Sequence, residues 1–305
     1  MRSSDSTPVA AGALRAPVTA EPAAQAPAAP VPGSQGTAST PPVLQARGLT
    51  KAYDAQGAAV LEGLDLEIGR GQFVAVMGPS GSGKSTLLHC LSGMDRPSGG
   101  QVLLLGDEAD GPGAQAAPGQ RTVDLAALDE RELAALRLRR FGFVFQQAHL
   151  LSTLCLLDNI VLPGFLAGER PRPQVEARGR ELMERMGIGG LAGSDVTEVS
   201  GGQLQRAGIC RALINDPGIV FADEPTGALN SSSAAQILDL LGEVHASGTT
   251  LMVVTHDAHV AVRADRVLVL VDGAVVEDLA LGRYERAQAA ERLSVVSQAL
   301  QRQSV

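Results

Sequence analysis

Apolar and polar positions change rhythm along this chain, and each change marks an element. The runs "QFVAVM" ending at Met77, "RFGFVFQQ" reaching Gln146, "GIVFA" ending at Ala222 and "TTLMVVT" ending at Thr255 are continuously apolar. They lack the alternation of a half-exposed strand, so they read as strands of a buried sheet. Residues 44–68 and "RVLVLVDGAVVED", with its Asp272-Gly273 turn, are expected to supply antiparallel strands. Helical rhythm appears in "LLHCLSGM", in "LQRAGICRAL" with Leu204, Ile209 and Leu213 available to pack, and in a terminal stretch carrying Leu293, Val296 and Leu300.

Two stretches have no rhythm. Residues 1–42 are rich in Ala, Pro, Ser, Thr and Gly and hold no aromatic residue, too little apolar surface to offset ordering entropy, so a disordered tail is expected. A second loose insert is expected near residues 106–124. The tail has no apolar segment behind a basic start, so a secretory signal is not expected.

Over 305 residues, 45% hydrophobic composition suits one or two globular domains with a substantial core. No apolar run approaches the roughly 20 residues of a spanning helix; the longest candidate carries Asp158 and Asn159 in its middle. The net charge of -8 gives no electrostatic reason to expect nucleic acid as a partner. Cys90, Cys155 and Cys210 are widely separated and read as small core residues in a reducing compartment.

Chemistry concentrates where buried strands end. "GPSGSGKST", comprising Gly78, Pro79, Ser80, Gly81, Ser82, Gly83, Lys84, Ser85 and Thr86, joins a strand to a helix and fits the pattern G-x-x-x-x-G-K-S/T. Its glycines let backbone N–H groups and a helix N-terminus wrap an anion. Lys84 can then reach β and γ phosphates, and the Ser85 hydroxyl can ligate Mg²⁺. Lys51 and Lys84 are the chain's two lysines, every other basic chain being arginine. A compact ammonium fits between phosphates where a planar guanidinium does not. Lys51 has no such rationale and reads as a surface residue.

Other strand ends extend the set. Asp223 and Glu224 follow the third run; Asp223 suits the magnesium shell and Glu224 a general base toward water, although such a pair also occurs at surface turns. Gln146 ends another run and suits a sensor of Mg²⁺ or water, and His256 ends a fourth, where structural histidines are also common. Ser200, Gly201, Gly202 and Gln203 open a helix, either as an ordinary cap or as a second anion-binding turn. Two phosphate-gripping elements in one chain make sense if each nucleotide lies between two copies, head to tail. Tyr53 offers an aromatic face for adenine or for strand packing.

In order and spacing these residues resemble the ATP-binding cassette ATPases: an aromatic at Tyr53, a Walker A loop at 78–86, a Q-loop at Gln146, a signature "VSGGQ" at 199–203, a Walker B strand at 219–223, Glu224, a D-loop "GALN" and a switch His256. "FVFQQAHLLSTLCLLDNI" and "VFADEPTGALNSSS" are similar to the branch that powers exporters of macrolides, lipoproteins and antimicrobial peptides. Val199 departs from the commoner leucine. Asn230 departs from the usual D-loop aspartate, which puts the coupling role of that loop in question.

The resemblance implies an α/β fold with a mainly parallel P-loop sheet, an antiparallel β-subdomain and a helical subdomain over about 147–215, within a domain spanning 43–283 and followed by a terminal helix over 284–305. It implies ATP hydrolysis with Mg²⁺, an ATP-bound homodimer and a separate integral-membrane permease contacting 149–166 at the cytoplasmic face of the membrane. It leaves open a signalling or mechanotransmission output, and more remotely a soluble ATPase acting on DNA or ribosomes.

Overall fold

The structure, a computed structural model, describes residues 41–54, 57–106 and 121–303. The tail expected over 1–42 lies outside these residues except at its end, where the boundary shifts. Strand β1 (Pro42–Lys51) begins inside that range, and the Pro41 carbonyl accepts the Arg70 amide at 3.0 Å. β1 pairs antiparallel with β2 (Leu61–Gly69) and with β4 (Gly99–Leu105), giving a sheet of order β2-β1-β4-β5.

Its edge strand, β5 (Thr122–Asp124), corrects the expected insert over 106–124. Val123 is buried, and Asp124 accepts amides from Val102 and Ala126. These local bonds and one apolar anchor suffice to order the segment's end against β4. The remainder, 107–120, lies outside the described residues.

The second sheet holds β3 (Phe73–Met77), β6 (Phe141–Phe145), β7 (Ile219–Asp223), β8 (Thr250–Val254), β9 (Arg266–Val271) and β10 (Ala274–Ala280) in the order β10-β9-β3-β8-β7-β6. All neighbours are parallel except β9 and β10. The terminal hairpin meets the antiparallel expectation in its own pairing and departs from it in where β9 joins the sheet. Its two strands are antiparallel to each other, but β9 runs parallel to β3 inside the main sheet. The physical reason is its unbroken apolar run, with Val267 through Leu270 fully buried, which demands cover on both faces. Only β10 alternates toward solvent, as an edge strand does.

Period-two geometry splits each central strand between two cores. Phe73, Ala75 and Met77 of β3, Val220 and Ala222 of β7, and Leu251 and Val253 of β8 face one apolar cluster. That cluster is closed by α3 (Leu156–Ala167), α4 (Arg172–Arg185), α5 (Gly201–Leu213), α6 (Ser231–Ala246), the short α7 (Ala258–Ala261) and the terminal α8 (Ala289–Arg302). Val74, Val76, Ile219, Phe221, Met252 and Val254 face the other. It is covered by α1 (Lys84–Leu91), α2 (Glu130–Arg140) and the antiparallel sheet.

α8 buries Val296 and Ala299, and its Arg302 grips both Glu277 oxygens on β10 at 2.8 and 2.6 Å. Cys90 and Cys210 are buried free thiols, pushed by burial up to about 11 and about 12. Cys155 is only partly buried against the core, and its Sγ caps α3, accepting the Asp158 amide at 3.5 Å.

Phe221 lies at the centre of the second core, 5.2 Å from the Phe141 ring and 5.9 Å from that of Phe143. Phe221→Ala is expected to lower stability by about 3–5 kcal/mol in a denaturant titration; a loss under about 1 kcal/mol would contradict this packing.

Candidate functional site

Parallel pairing sends the chain out of β3, β6, β7 and β8 along one edge of the sheet, and the residues singled out in the sequence meet there. Between β3 and α1 the loop doubles back through Gly78 at φ +146° and Gly83 at φ +97°. A Cβ on Gly78 would lie 2.0 Å from the Leu270 carbonyl oxygen, and one on Gly83 would lie 2.8 Å from that of Val60. Only glycine lets the loop close this tightly.

Within the loop the Lys84 ammonium donates to the carbonyls of Gly78 at 2.9 Å and Pro79 at 2.7 Å. Burial lowers its pKa, partly offset by the nearby charges of Glu224 and Asp223. Ser82 Oγ is buried there without a hydrogen-bond partner.

One residue into α1, the Ser85 hydroxyl donates to Asp223 Oδ1 at 3.3 Å, joining positions 138 residues apart. Burial raises the Asp223 carboxyl; the Ser85 hydrogen bond and the charges of His89 and Lys84 work against it, and Glu224 adds to it. Two hard oxygen donors beside a triphosphate loop suit Mg²⁺, which takes few protein ligands and fills its shell with phosphates and water. No cluster of three or more His, Cys, Asp or Glu that could hold a metal occurs among the described residues.

Glu224 follows at φ +47°, a left-handed conformation that costs a non-glycine residue roughly 1–2 kcal/mol. Its amide donates to Val254 O at 2.9 Å, which fixes that turn against β8. Both carboxylate oxygens are engaged. Oε1 accepts the His256 amide at 3.0 Å and lies 2.7 Å from His256 Nδ1. Oε2 accepts the Thr255 hydroxyl at 3.2 Å. Thr255 Oγ1 in turn accepts the Asp257 amide, so its proton is directed at the carboxylate. The Glu224 side chain is 19% exposed and that of His256 is 72% exposed.

Gln146 stands exposed just beyond β6, its amide beside Gly227, where an added Cβ would lie 3.0 Å from Nε2. Tyr53 is 61% exposed, its hydroxyl 3.5 Å from Thr86 Oγ1. Ser200 is the N-cap of α5 in a reciprocal box with Gln203, the two backbone-to-side-chain bonds measuring 3.3 and 2.8 Å. Among the described residues no hydrogen bond or ion pair joins 200–203 to the 78–86 loop. The single chain therefore assembles Lys84, Ser85, Asp223, Glu224 and His256 and leaves the serine-glycine turn apart. Asn230, the departure in the D-loop, caps α6 by accepting the Ser233 amide at 2.9 Å, a task asparagine performs as well as aspartate.

Several supporting residues escaped the sequence reading. Buried Gln205 donates from Nε2 to Phe145 O at 2.8 Å and Pro225 O at 2.9 Å, tying α5 to the ends of β6 and β7. Arg211, whose pKa burial lowers, donates to the carbonyls of Ala148 at 2.6 Å and His149 at 2.9 Å. Thr255 carried one usable signal, a hydroxyl directly before a strand-end histidine. Lys51 is not a surface residue: it is buried in an ion pair with Asp95 at 2.7 Å.

A P-loop cassette of parallel strands with a separate signature helix defines a class of nucleotide-binding ATPases, and comparison with known proteins gives its family. The family model described as "ABC transporter" matches residues 61–227, more than half of the chain. The chain therefore belongs to the ABC transporter family, as one of its ATPase cassettes.

It is 44% identical over 243 residues to "Macrolide export ATP-binding/permease protein MacB 1/2" of Paracoccus denitrificans (strain Pd 1222), covering 79% of this chain and 34% of that protein. It is 41% identical over 242 residues to "Pyoverdine export ATP-binding/permease protein PvdT" of Pseudomonas syringae pv. syringae (strain B728a), covering 78% and 34%. The chain thus spans about a third of the length of the curated relatives it matches. Among solved structures, the ATP-binding cassette MJ0796, described as a dimer in a post-hydrolysis state bound to ADP and Pi, matches with a TM-score of 0.68 and 34% identity. That match covers 79% of this chain and all of the other.

Gln205→Leu leaves two carbonyls without their donor, and an unpaired buried group costs about 1–3 kcal/mol. Stability in a denaturant titration is expected to fall by roughly that amount or more; an unchanged midpoint would show that the two strand ends do not depend on this bond.

Proposed function

We propose that this chain is the ATP-hydrolysing motor of an export complex, acting as a head-to-tail pair at the cytoplasmic face of a membrane and driving a permease. The observation that carries the reading is the division of the site: lysine loop, acidic pair and histidine converge in one chain, while among the described residues no hydrogen bond or ion pair ties the capped turn at Ser200 to them. A second copy would bring its Ser200, Gly201, Gly202 and Gln203 to the γ phosphate held by the first. The dimeric MJ0796 structures support this.

The free loop is already arranged for a triphosphate. Lys84 exchanges its two carbonyl acceptors for β and γ phosphate oxygens, while the α1 N-terminus and the glycine backbone present N–H groups. Tyr53 stacks on the adenine. Ser85, Asp223 and Gln146 would hold Mg²⁺, which supplies charge neutralisation at the β and γ phosphates. Glu224 accepts a proton from the attacking water. The water oxygen bonds to the γ phosphorus as the bond to the β–γ bridging oxygen breaks, leaving ADP and phosphate. His256 and Thr255 hold the carboxylate in place, and the positive φ of Glu224 sets its direction.

Force would leave through the helical subdomain. A groove of about 450 Å³ lined by Met94, Phe143, Phe145, His149, Pro163 and Arg211 opens beside the Gln146 segment. It suits a short amphipathic helix of a permease, and Gln205 and Arg211 link its walls to the nucleotide edge. No helix among the described residues is long and apolar enough to cross a membrane, so the pore would be formed elsewhere. The names of the relatives favour small amphiphilic cargo such as macrolides; antimicrobial peptides and lipoproteins belong to the same proposed range.

Glu224→Gln is expected to lower ATP turnover by roughly 10²–10⁴-fold while yielding an ATP-dependent dimer in size-exclusion chromatography; normal turnover would remove the assigned base. Lys84→Ala is expected to weaken ATP binding roughly tenfold or more by calorimetry, and unchanged affinity would remove the phosphate-loop reading.

A further inference from the structure

Lys51, at the end of β1, sits in a niche where its side chain is 10% exposed. Its ammonium has three contacts. It donates to Asp95 Oδ1 at 2.7 Å and to Arg96 O at 2.8 Å, and it lies over the Tyr53 ring, 4.7 Å from the centroid. For Asp95, burial pushes the carboxyl up, but the hydrogen bond and charge of Lys51, with a hydrogen bond from Tyr53, outweigh it and hold the carboxyl below its ordinary value. The three residues form one charged and aromatic unit.

The backbone on either side of Lys51 is pinned as well. Lys51 O accepts the Val60 amide at 2.6 Å, and Ser98 Oγ exchanges hydrogen bonds with the amide and carbonyl of Ala52, each at 3.0 Å. Tyr53 itself projects from this pinned chain, largely exposed, its hydroxyl near Thr86 and hydrogen-bonded to Asp95. The hydroxyl fixes one end of the ring, and a contact on its face is what would fix its tilt. The ammonium supplies that contact, and the ring stays largely exposed.

We propose that Lys51 is a positioning residue for base recognition, holding the Tyr53 ring in the orientation that stacks on adenine. This rests on the reading of Tyr53 as the adenine platform. It also explains why position 51 keeps a lysine where every other cation outside the phosphate loop is arginine. A tetrahedral ammonium reaches a carboxylate, a carbonyl and a ring face together from one niche, and a planar guanidinium fork does not.

The test is equilibrium binding to the full chain with two probes, Mg–ATP and Mg–tripolyphosphate, the second lacking a base. Lys51→Met is expected to weaken ATP binding roughly fivefold and to leave tripolyphosphate affinity unchanged. Intact tripolyphosphate binding also confirms a folded loop. Lys51→Gln, which keeps a donor toward Asp95 but removes the positive charge from the ring face, is expected to act in the same direction and replaces Lys51→Met should that variant fail to fold.

A double-mutant cycle completes the test. Tyr53→Ala is expected to weaken ATP binding roughly tenfold, and Lys51→Met is expected to add nothing in that background. Unchanged ATP affinity in Lys51→Met, an equal loss for tripolyphosphate, or an undiminished loss in the Tyr53→Ala background would each overturn the proposal while leaving the platform reading intact. Unchanged ATP affinity in Tyr53→Ala would overturn the platform reading itself, and the proposal with it.

Discussion

Parallel pairing of β9, β3, β8, β7 and β6 makes every segment leaving those strands emerge from the same edge of the sheet, and all the chemistry inherits its position from this. Ser85 and Asp223 meet across 138 residues because β3 and β7 flank β8 in register. Thr255 donates its amide to Val76 O and Glu224 donates its amide to Val254 O, so the strand ends are laced by backbone before any side chain acts. Parallel strands need cover on both faces, and here two separate apolar clusters supply it.

Charge sits on this edge in a compensated form. Lys84 is held by two carbonyls, Asp223 by a hydroxyl, and Glu224 by two donors from the backbone and side chain of the following strand end. Burial lowers the Lys84 pKa and raises that of Asp223, so both groups gain from an opposite charge arriving between them. A triphosphate with its cation is such a pair of charges.

Polar bonds connect α5 to this edge. Gln205 spans from α5 to two strand ends, and Arg211 holds the carbonyls that follow the Gln146 segment. Gln205 is buried and Arg211 half-buried, and both donate to backbone carbonyls.

Local chemistry was legible in the sequence because it depends on neighbouring residues alone. The glycine-rich loop needs backbone conformations that glycine supplies, the apolar runs can only be buried strands, and the box of Ser200 with Gln203 is written within four residues. Long-range partners were not legible. The hairpin at 266–280 joins the main sheet beside β3, residues 122–124 order against β4, and Lys51 sinks between Asp95 and Tyr53. No spacing in the chain encodes these, since each depends on which surfaces remain uncovered once the other elements have packed. The sequence alone determined which groups could grip a nucleotide; the tertiary structure decided which of them share one edge, and it left the serine-glycine turn outside that edge because the turn rides on a helix packed against the far core.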